Sequence, residues 1–177
     1  MNMRFLEDDT LRLRAVEPDD ADMMWTVETD SLQWMENGMS APYSRHNLRE
    51  YAENYDADPI RSGQLRLVIE KKDTAGCKAI GLIDLYDISA SNRTAFTGIY
   101  VIPEERGKGH AARALHLLGE YACRLLNLRI MAAKIVDSNN ASRRLFEKAG
   151  YEYSGKLSDW ILSGKETLSL LIYSKRF

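Results

Sequence analysis

One stretch constrains the fold of this chain more than any other. Residues 94–101 read as a strand ending in Ile99-Tyr100-Val101, and Pro103 and the pair Gly107 and Gly109 follow. A helical pattern then covers about 109–126, with Ala111, Ala114, Leu115, Leu118, Ala122 and Leu125 on one face. Ile130 to Val136 reads as a buried strand. Two strands joined through a helix lie parallel, with a right-handed crossover. The segments before and after argue the opposite sense. Leu65, Leu67 and Ile69 alternate, residues 79–86 are mostly apolar, and turn residues at Asp73–Gly76 and Ser89–Arg93 leave connections that suit antiparallel neighbours. Tyr151–Leu162 and Glu166–Tyr173 read as a hairpin turning at Ser163-Gly164. The sheet is therefore expected to be mixed.

The remaining elements follow from capping and periodicity. Leu11, Leu13 and Ala15 alternate with Arg12 and Arg14, as in a half-buried strand. Pro18 suits the first position of a helix, with Ala21, Met24 and Trp25 after it. Gly38 and Pro42 break the pattern, and Ser44 is placed to cap a helix carrying Leu48, Tyr51, Ala52 and Tyr55. Residues 140–149 form a short helix closed by Gly150, which tolerates the left-handed cap. The order β-α-α-β-β-β-α-β-α-β-β predicts an α+β (mixed α/β) fold. It is expected as one domain over 1–177, with a central mixed, mostly antiparallel sheet and helices on both faces.

The segment Val101-Ile-Pro-Glu-Glu-Arg106-Gly107-Lys108-Gly109-His110-Ala111-Ala112 carries the chemistry. Free N–H groups and the positive end of the dipole at a helix start favour an anion. Gly107 and Gly109 permit close backbone approach, Ala111 and Ala112 keep the first turn low, and Arg106 and Lys108 add charge. The pattern predicts a phosphate or pyrophosphate site. G-x-x-x-x-G-K-[ST] is absent, so the site is not a P-loop. Gly107-x-Gly109-x-x-Ala112, with Asp137 after the next strand, fits a dinucleotide fingerprint. Against that stand the residues Ile102–Arg106 between strand and glycines and the lack of repeated βαβ units. The rival predicts an oxidoreductase that binds NAD(P).

Charge and composition exclude several classes. Net charge is −2, which disfavours a general nucleic-acid binder. No apolar run approaches the roughly 18 residues of a membrane span. The first residues lack the apolar core of a signal peptide, so a cytoplasmic location with two unpaired thiols, Cys77 and Cys123, is expected. The three histidines and two cysteines show no metal-ligand spacing. The near-neutral total hides a split. Residues 1–60 hold 14 acidic against 5 basic side chains, and residues 61–177 hold 12 against 19.

The segment Arg106-Gly107-Lys108-Gly109-His110-Ala111 resembles the acetyl-CoA-binding motif R/Q-x-x-G-x-G/A of the GNAT superfamily of N-acetyltransferases. Asn139-Asn-Ala-Ser142-Arg-Arg-Leu145-Phe146-Glu-Lys148-Ala-Gly150-Tyr151 is similar to that family's N-x-x-S/A-x-x-L-Y/F-x-K-x-G-F/Y segment. Leu11-Arg-Leu-Arg-Ala-Val-Glu-Pro-Asp-Asp-Ala resembles the start of the branch holding ribosomal-protein N-terminal and spermidine acetyltransferases. The resemblance implies a single GNAT-like domain and acetyl-CoA as cosubstrate with no metal. It implies that the N–H groups of Arg106, Gly107, Lys108, Gly109, His110 and Ala111 hold the pyrophosphate. The strand edge at Ile99 to Val101 would pair with the pantetheine arm, where parallel neighbours splay, and an N–H near Val101 would meet the acetyl carbonyl. Asn139 would bond the arm near the thioester while capping its helix. Ser142 would lie near the sulfur and is the catalytic candidate. Arg143 and Lys148 are either adenosine-phosphate contacts or solvated charges.

Two departures from the family pattern bear on mechanism. Phe146 stands where many members have a proton-donating tyrosine, and Phe96 stands where members often have a glutamate base. Ser142, a bound water or simple proximity would then serve the leaving thiol. Glu28 or Glu36 would relay the amine's proton through water. Trp25, Trp34 and nearby tyrosines would either line a substrate pocket or pack in the core. The expected acceptor is a cationic small amine such as a polyamine, given the acidic first third. Alternatives are a ribosomal-protein or other peptide N-terminus and, in another class, a non-catalytic acyl-CoA-binding module. No nucleic-acid or membrane partner is expected, and a homo-oligomer stays open.

Overall fold

A computed structural model of the chain describes residues 5–30, 41–74 and 76–177. The expectations placed on Trp34, Glu36 and Gly38 lie outside the described residues. β1 (Leu11–Ala15) is followed by a 3-10 turn at Pro18–Asp20 and α1 (Ala21–Glu28). Next come α2 (Arg45–Glu53), α3 (Pro59–Ser62), β2 (Leu65–Asp73), β3 (Gly76–Ser89) and β4 (Thr94–Val101). A second 3-10 turn, Pro103–Glu105, leads to α4 (His110–Arg124), β5 (Ile130–Val136), α5 (Asn140–Lys148), β6 (Glu152–Ser163) and β7 (Glu166–Arg176).

The seven strands form one sheet in the order β1-β2-β3-β4-β5-β7-β6. All pairings are antiparallel except β4 with β5, as the crossover through α4 requires. Helices cover both faces. On one face α4 and α5 pack Ala114, Leu115, Leu118 and Phe146 against Leu67, Ile69, Ile83, Met131 and Ile135. On the other, α1 and α2 pack Met24, Val27 and Leu48 against Val68, Leu82 and Tyr100. Leu67 and Val68 are consecutive yet belong to opposite cores, because side chains alternate along a strand.

Local chemistry sets the element ends. Ser44 Oγ accepts from the Asn47 N–H at 3.0 Å, capping α2 as expected. At α3, Asp58 Oδ1 accepts from the N–H groups of Ile60 and Arg61 at 3.0 and 3.1 Å. Pro59 opens that turn and Gly63, at φ +73°, closes it. Four residues are too few to show a helical period. Leu125 fits the apolar face of α4 by spacing alone. The helix ends at Arg124, and Leu125, its C-cap, is exposed. Cys77 and Cys123 are both free thiols.

Candidate active site

The site begins where two parallel strands part. β4 pairs with β5 only at Thr94–Ile130, Ala95–Met131 and Phe96–Ala132. β4 nevertheless stays on β3 up to Val101, and β5 stays on β7 up to Val136. From Thr97 onward the facing edges of β4 and β5 have no ladder partner in each other. The opening is a cleft lined by Thr97, Gly98, Ile99 and Tyr100 of β4, Lys134 to Val136 of β5, and Asn139, Ser142 and Phe146 at α5. Val27, Glu28, Arg66, Leu82 and Asp84 close it on the α1 side. Its volume of about 110 Å³ suits the reacting ends of two molecules rather than a whole nucleotide, which would have to lie along the surface.

The mouth of the splay runs into the glycine loop. Gly107 and Gly109 adopt φ +75° and +85°, where a Cβ is strained, and no atom lies within 4 Å of a Cβ built on either. None of the N–H groups of Gly107 to Ala111 donates to an acceptor among the described residues. They form an open cradle of donors at the start of α4, which fits an anion. Arg106 lies outside that cradle, since its N–H donates to the Pro103 carbonyl at 3.2 Å. Its guanidinium turns back, donating through Nε to the Val101 carbonyl at 2.8 Å and lying 5.1 Å from the Tyr100 ring centre.

The other charges of the loop converge on buried Glu105. Lys108 Nζ lies 3.0 Å and His110 Nε2 3.4 Å from its Oε2, and Lys71 Nζ lies 3.9 Å from Oε1. The Lys108 hydrogen bond, aided by Lys71 and His110, outweighs burial and holds the Glu105 carboxyl below the usual range. His110 thus packs beneath the loop. Backbone dipoles, rather than the side chains of Arg106 and Lys108, supply the open positive potential here.

On the α5 side, Asn139 Oδ1 accepts from the Ser142 N–H at 3.0 Å, so Asn139 caps the helix and lines the cleft at once. Ser142 faces the same cleft one turn from Phe146, which is buried and meets Tyr151 edge-to-face at 5.0 Å. Arg143 is engaged by Asn140 and Tyr173, and Lys148 is exposed on the last turn.

The α1 side holds a charge cluster that sequence reasoning finds only in part. Arg66 and Asp84 are a cross-strand pair, joined by two bonds of 2.9 and 3.1 Å. Arg66 Nη1 also donates to Glu28 Oε1 at 2.8 Å. Burial opposes the Arg66 charge, but Asp84 and Glu28 outweigh it and raise the pKa further. One guanidinium therefore stands between two carboxylates, leaving the wall net acidic. Nearby, the Tyr100 hydroxyl donates to Asp30 Oδ2 at 3.3 Å. Burial lifts the Tyr100 phenol above its ordinary value, against the pull of Arg106. Glu28 is the member of the cluster expected from sequence. Asp84 is not, and the signal for it is an acid inside the apolar run 79–86, opposite an arginine in the neighbouring strand. Phe96 stacks on Tyr86 at 5.7 Å, with Lys134 Nζ 4.3 Å above its ring. Trp25 is partly buried against the α1–α2 core and stacks under Arg45.

The model of the acetyltransferase (GNAT) domain family matches residues 10–152. The chain belongs to the GNAT acetyltransferases. Among curated GNAT relatives, the spermidine N(1)-acetyltransferase of Escherichia coli K12 is 28% identical over 148 residues, covering 84% of this chain and 76% of the relative. The uncharacterized N-acetyltransferase YoaA of Bacillus subtilis is 26% identical over 173 residues, covering 96% and 94%. A crystal structure of spermidine N-acetyltransferase from Vibrio cholerae in complex with CoA and spermine superposes with a TM-score of 0.83. The two are 22% identical, with 96% of each chain covered. That likeness establishes the same fold. Among the described residues no helix is long and apolar enough to cross a membrane.

Proposed function

We propose that this GNAT chain moves an acetyl group from acetyl-CoA to the primary amine of a cationic small molecule, with a polyamine as the model acceptor. One observation carries the reading. The splay between β4 and β5 has an anion cradle at one end and the Glu28–Arg66–Asp84 cluster on its other wall. The donors of Gly107 to Ala111 suit a pyrophosphate, and the edge of β4 at Ile99 to Val101, which has no ladder partner in β5, suits an extended amide-bearing arm. Acetyl-CoA supplies an acetyl thioester to a nucleophile held beside it. Val101 contributes a backbone N–H for the acetyl oxygen. Asn139 and Ser142 flank the sulfur, with the Ser142 hydroxyl as donor to the departing thiolate.

Glu28 and Asp84 hold the ammonium group, and Glu28, directly or through water, takes the proton that the amine must lose before attack. Direct attack in a ternary complex then needs no covalent enzyme intermediate. The relatives support the acceptor class, since those of Vibrio cholerae and Escherichia coli are named spermidine N(1)-acetyltransferases. A 23% identical neighbour, the dodecameric spermidine N-acetyltransferase from Vibrio cholerae in an intermediate state, motivates testing for a homo-oligomer.

A thiol-release assay with acetyl-CoA and a panel of amines and peptides tests the reading. Spermidine-like amines are expected to exceed neutral or acidic amines in kcat/KM, and Glu28→Gln to erase most of that preference. Better turnover of neutral or acidic amines would refute the acceptor class. Binding of acetyl-CoA without thiol release from any amine would instead favour the non-catalytic module, a reading motivated by Phe146.

A further inference from the structure

We propose that the hydroxyl of Thr97 is a binding group for the thioester end of the cosubstrate, which it hydrogen-bonds when that end enters the splay. The inference rests on the reading of the cleft as the acetyl-CoA site.

Thr97 occupies a singular place in the sheet. The last pair between β4 and β5 is Phe96–Ala132, so Thr97 is the first residue of β4 beyond the fork. On its other edge it pairs with Leu85 of β3. Its neighbours on the same face, Ala95, Ile99 and Val101, are apolar and pack into or against the α4–α5 core. A valine would fill this position with the same shape. The side chain is 2% exposed, and Oγ1 is buried with no hydrogen-bond partner among the described residues. The other buried side-chain atoms of that kind are His110 Nε2 and Arg143 Nε, and neither residue lines the cleft. Thr97 does line it, beside Gly98 and across from Ser142 and Phe146.

A buried hydroxyl without a partner destabilises the protein that carries it, and native structures rarely keep one without a use. The use available at this spot is a ligand atom. Phe146 offers no hydrogen bond. The Tyr100 hydroxyl is engaged by Asp30, and the Arg66 guanidinium by Asp84 and Glu28. Among the described residues, Thr97 and Ser142 are the aliphatic hydroxyls of the cleft lining. One stands on β4 beside the fork and the other on α5, so the cleft carries a hydroxyl from each of the two elements.

The test is calorimetric titration of wild type, Thr97→Val and Thr97→Ser with acetyl-CoA and with adenosine 3′,5′-bisphosphate, a fragment without the pantetheine arm. Unliganded Tm is measured for each protein. Thr97→Val is expected to weaken acetyl-CoA about tenfold, the worth of one hydrogen bond in a closed site. It should leave the adenosine fragment within about twofold and hold or raise Tm, because an unsatisfied buried group has been removed. Thr97→Ser, which keeps the hydroxyl, should bind acetyl-CoA within about threefold of wild type. Wild-type affinity for acetyl-CoA in Thr97→Val overturns the proposal alone. Equal weakening of both ligands with a lower Tm also overturns it, since that marks Thr97 as a packing residue. No acetyl-CoA binding by wild type overturns the reading of the site and this proposal with it.

Discussion

Gly81→Ala tests whether the free end of β4 beyond the fork is held on β3 by close backbone contact. A Cβ placed on Gly81 falls 2.1 Å from the Tyr100 carbonyl oxygen and 3.0 Å from both the Tyr100 carbonyl carbon and the Val101 Cα. Ordinary carbon–oxygen contact needs more than about 3 Å, so something must move by about 1 Å. The obstacle is main chain, which no rotamer change relieves. Nor can β3 retreat freely, because Gly81 pairs with Val101 on one side and with Ile69 of β2 on the other. Overpacking of this kind costs about 1–3 kcal/mol, and the two-sided confinement places Gly81→Ala near the upper end.

With a urea dependence of about 2 kcal/mol per molar, a loss of about 3 kcal/mol lowers the unfolding midpoint by about 1.5 M. Gly98→Ala is the control, since its added Cβ meets nothing closer than Tyr86 Cε1 at 3.9 Å. That variant is expected within about 0.5 kcal/mol of wild type. The assay is equilibrium urea unfolding followed by circular dichroism. A Gly81→Ala midpoint within error of wild type, or an equal loss in Gly98→Ala, would refute the argument from backbone proximity.

Gly109→Ala places a Cβ in open space at φ +85°, so its cost is conformational, about 1–2 kcal/mol, and acetyl-CoA affinity should fall while the circular dichroism spectrum is kept. Ser142→Ala should lower kcat at least about tenfold with little change in KM for acetyl-CoA, and an unchanged kcat removes Ser142 from the chemistry. Acid stability reports on Asp20, which Arg14 grips at 2.7 and 2.8 Å. Burial would raise this carboxyl, but the Arg14 bonds and the Glu17 N–H outweigh it and keep its pKa below the usual value. A depressed pKa contributes stability above the unfolded value of about 3.9, lost as pH falls through the folded one. Urea midpoints from about pH 7 to 3 should therefore drop more steeply for wild type than for Asp20→Asn.

The strands and caps are readable in the sequence because each has a local cause. Alternation marks Leu11–Ala15, Ser44 caps α2, and the helix between residues 94–101 and 130–136 forces the parallel pair. The glycine cradle is readable too, since positive φ selects glycine at residues 107 and 109. What stays hidden depends on contacts that spacing does not show. Arg106 and Lys108 look like free phosphate ligands until Val101 and Glu105 are seen to hold them. Asp84 looks like an interruption in an apolar strand until Arg66 pairs with it across β2 and β3. Thr97 looks like an ordinary strand residue, and only the forking of β4 from β5 shows that its hydroxyl lacks a partner among the described residues. No periodicity reveals where a sheet will fork.

The charge split changes meaning once partners are known. Part of the acid in residues 1–60 is paired, and three of the partners, Arg61, Lys72 and Arg113, lie outside that segment. Asp20 binds Arg14, Asp22 binds Arg45, Asp56 binds Arg61, Glu7 binds Lys72, and Asp8 faces Arg113. Such pairs present little net field beyond a Debye length of about 8 Å. An acidic first third is therefore too coarse a reason for a cationic acceptor. The reason that survives is short-ranged: Glu28, at the C-terminal end of α1, shares Arg66 with Asp84, leaving one net negative charge among the described residues on that wall of the cleft, while Lys134 lines the β5 side. A local charge of this kind is screened much less by salt than a surface field. If it selects the acceptor, the preference for cationic amines should survive an increase in ionic strength from about 0.05 M to about 0.5 M. A preference that collapses over that range would return the selectivity to the diffuse charge of the N-terminal segment.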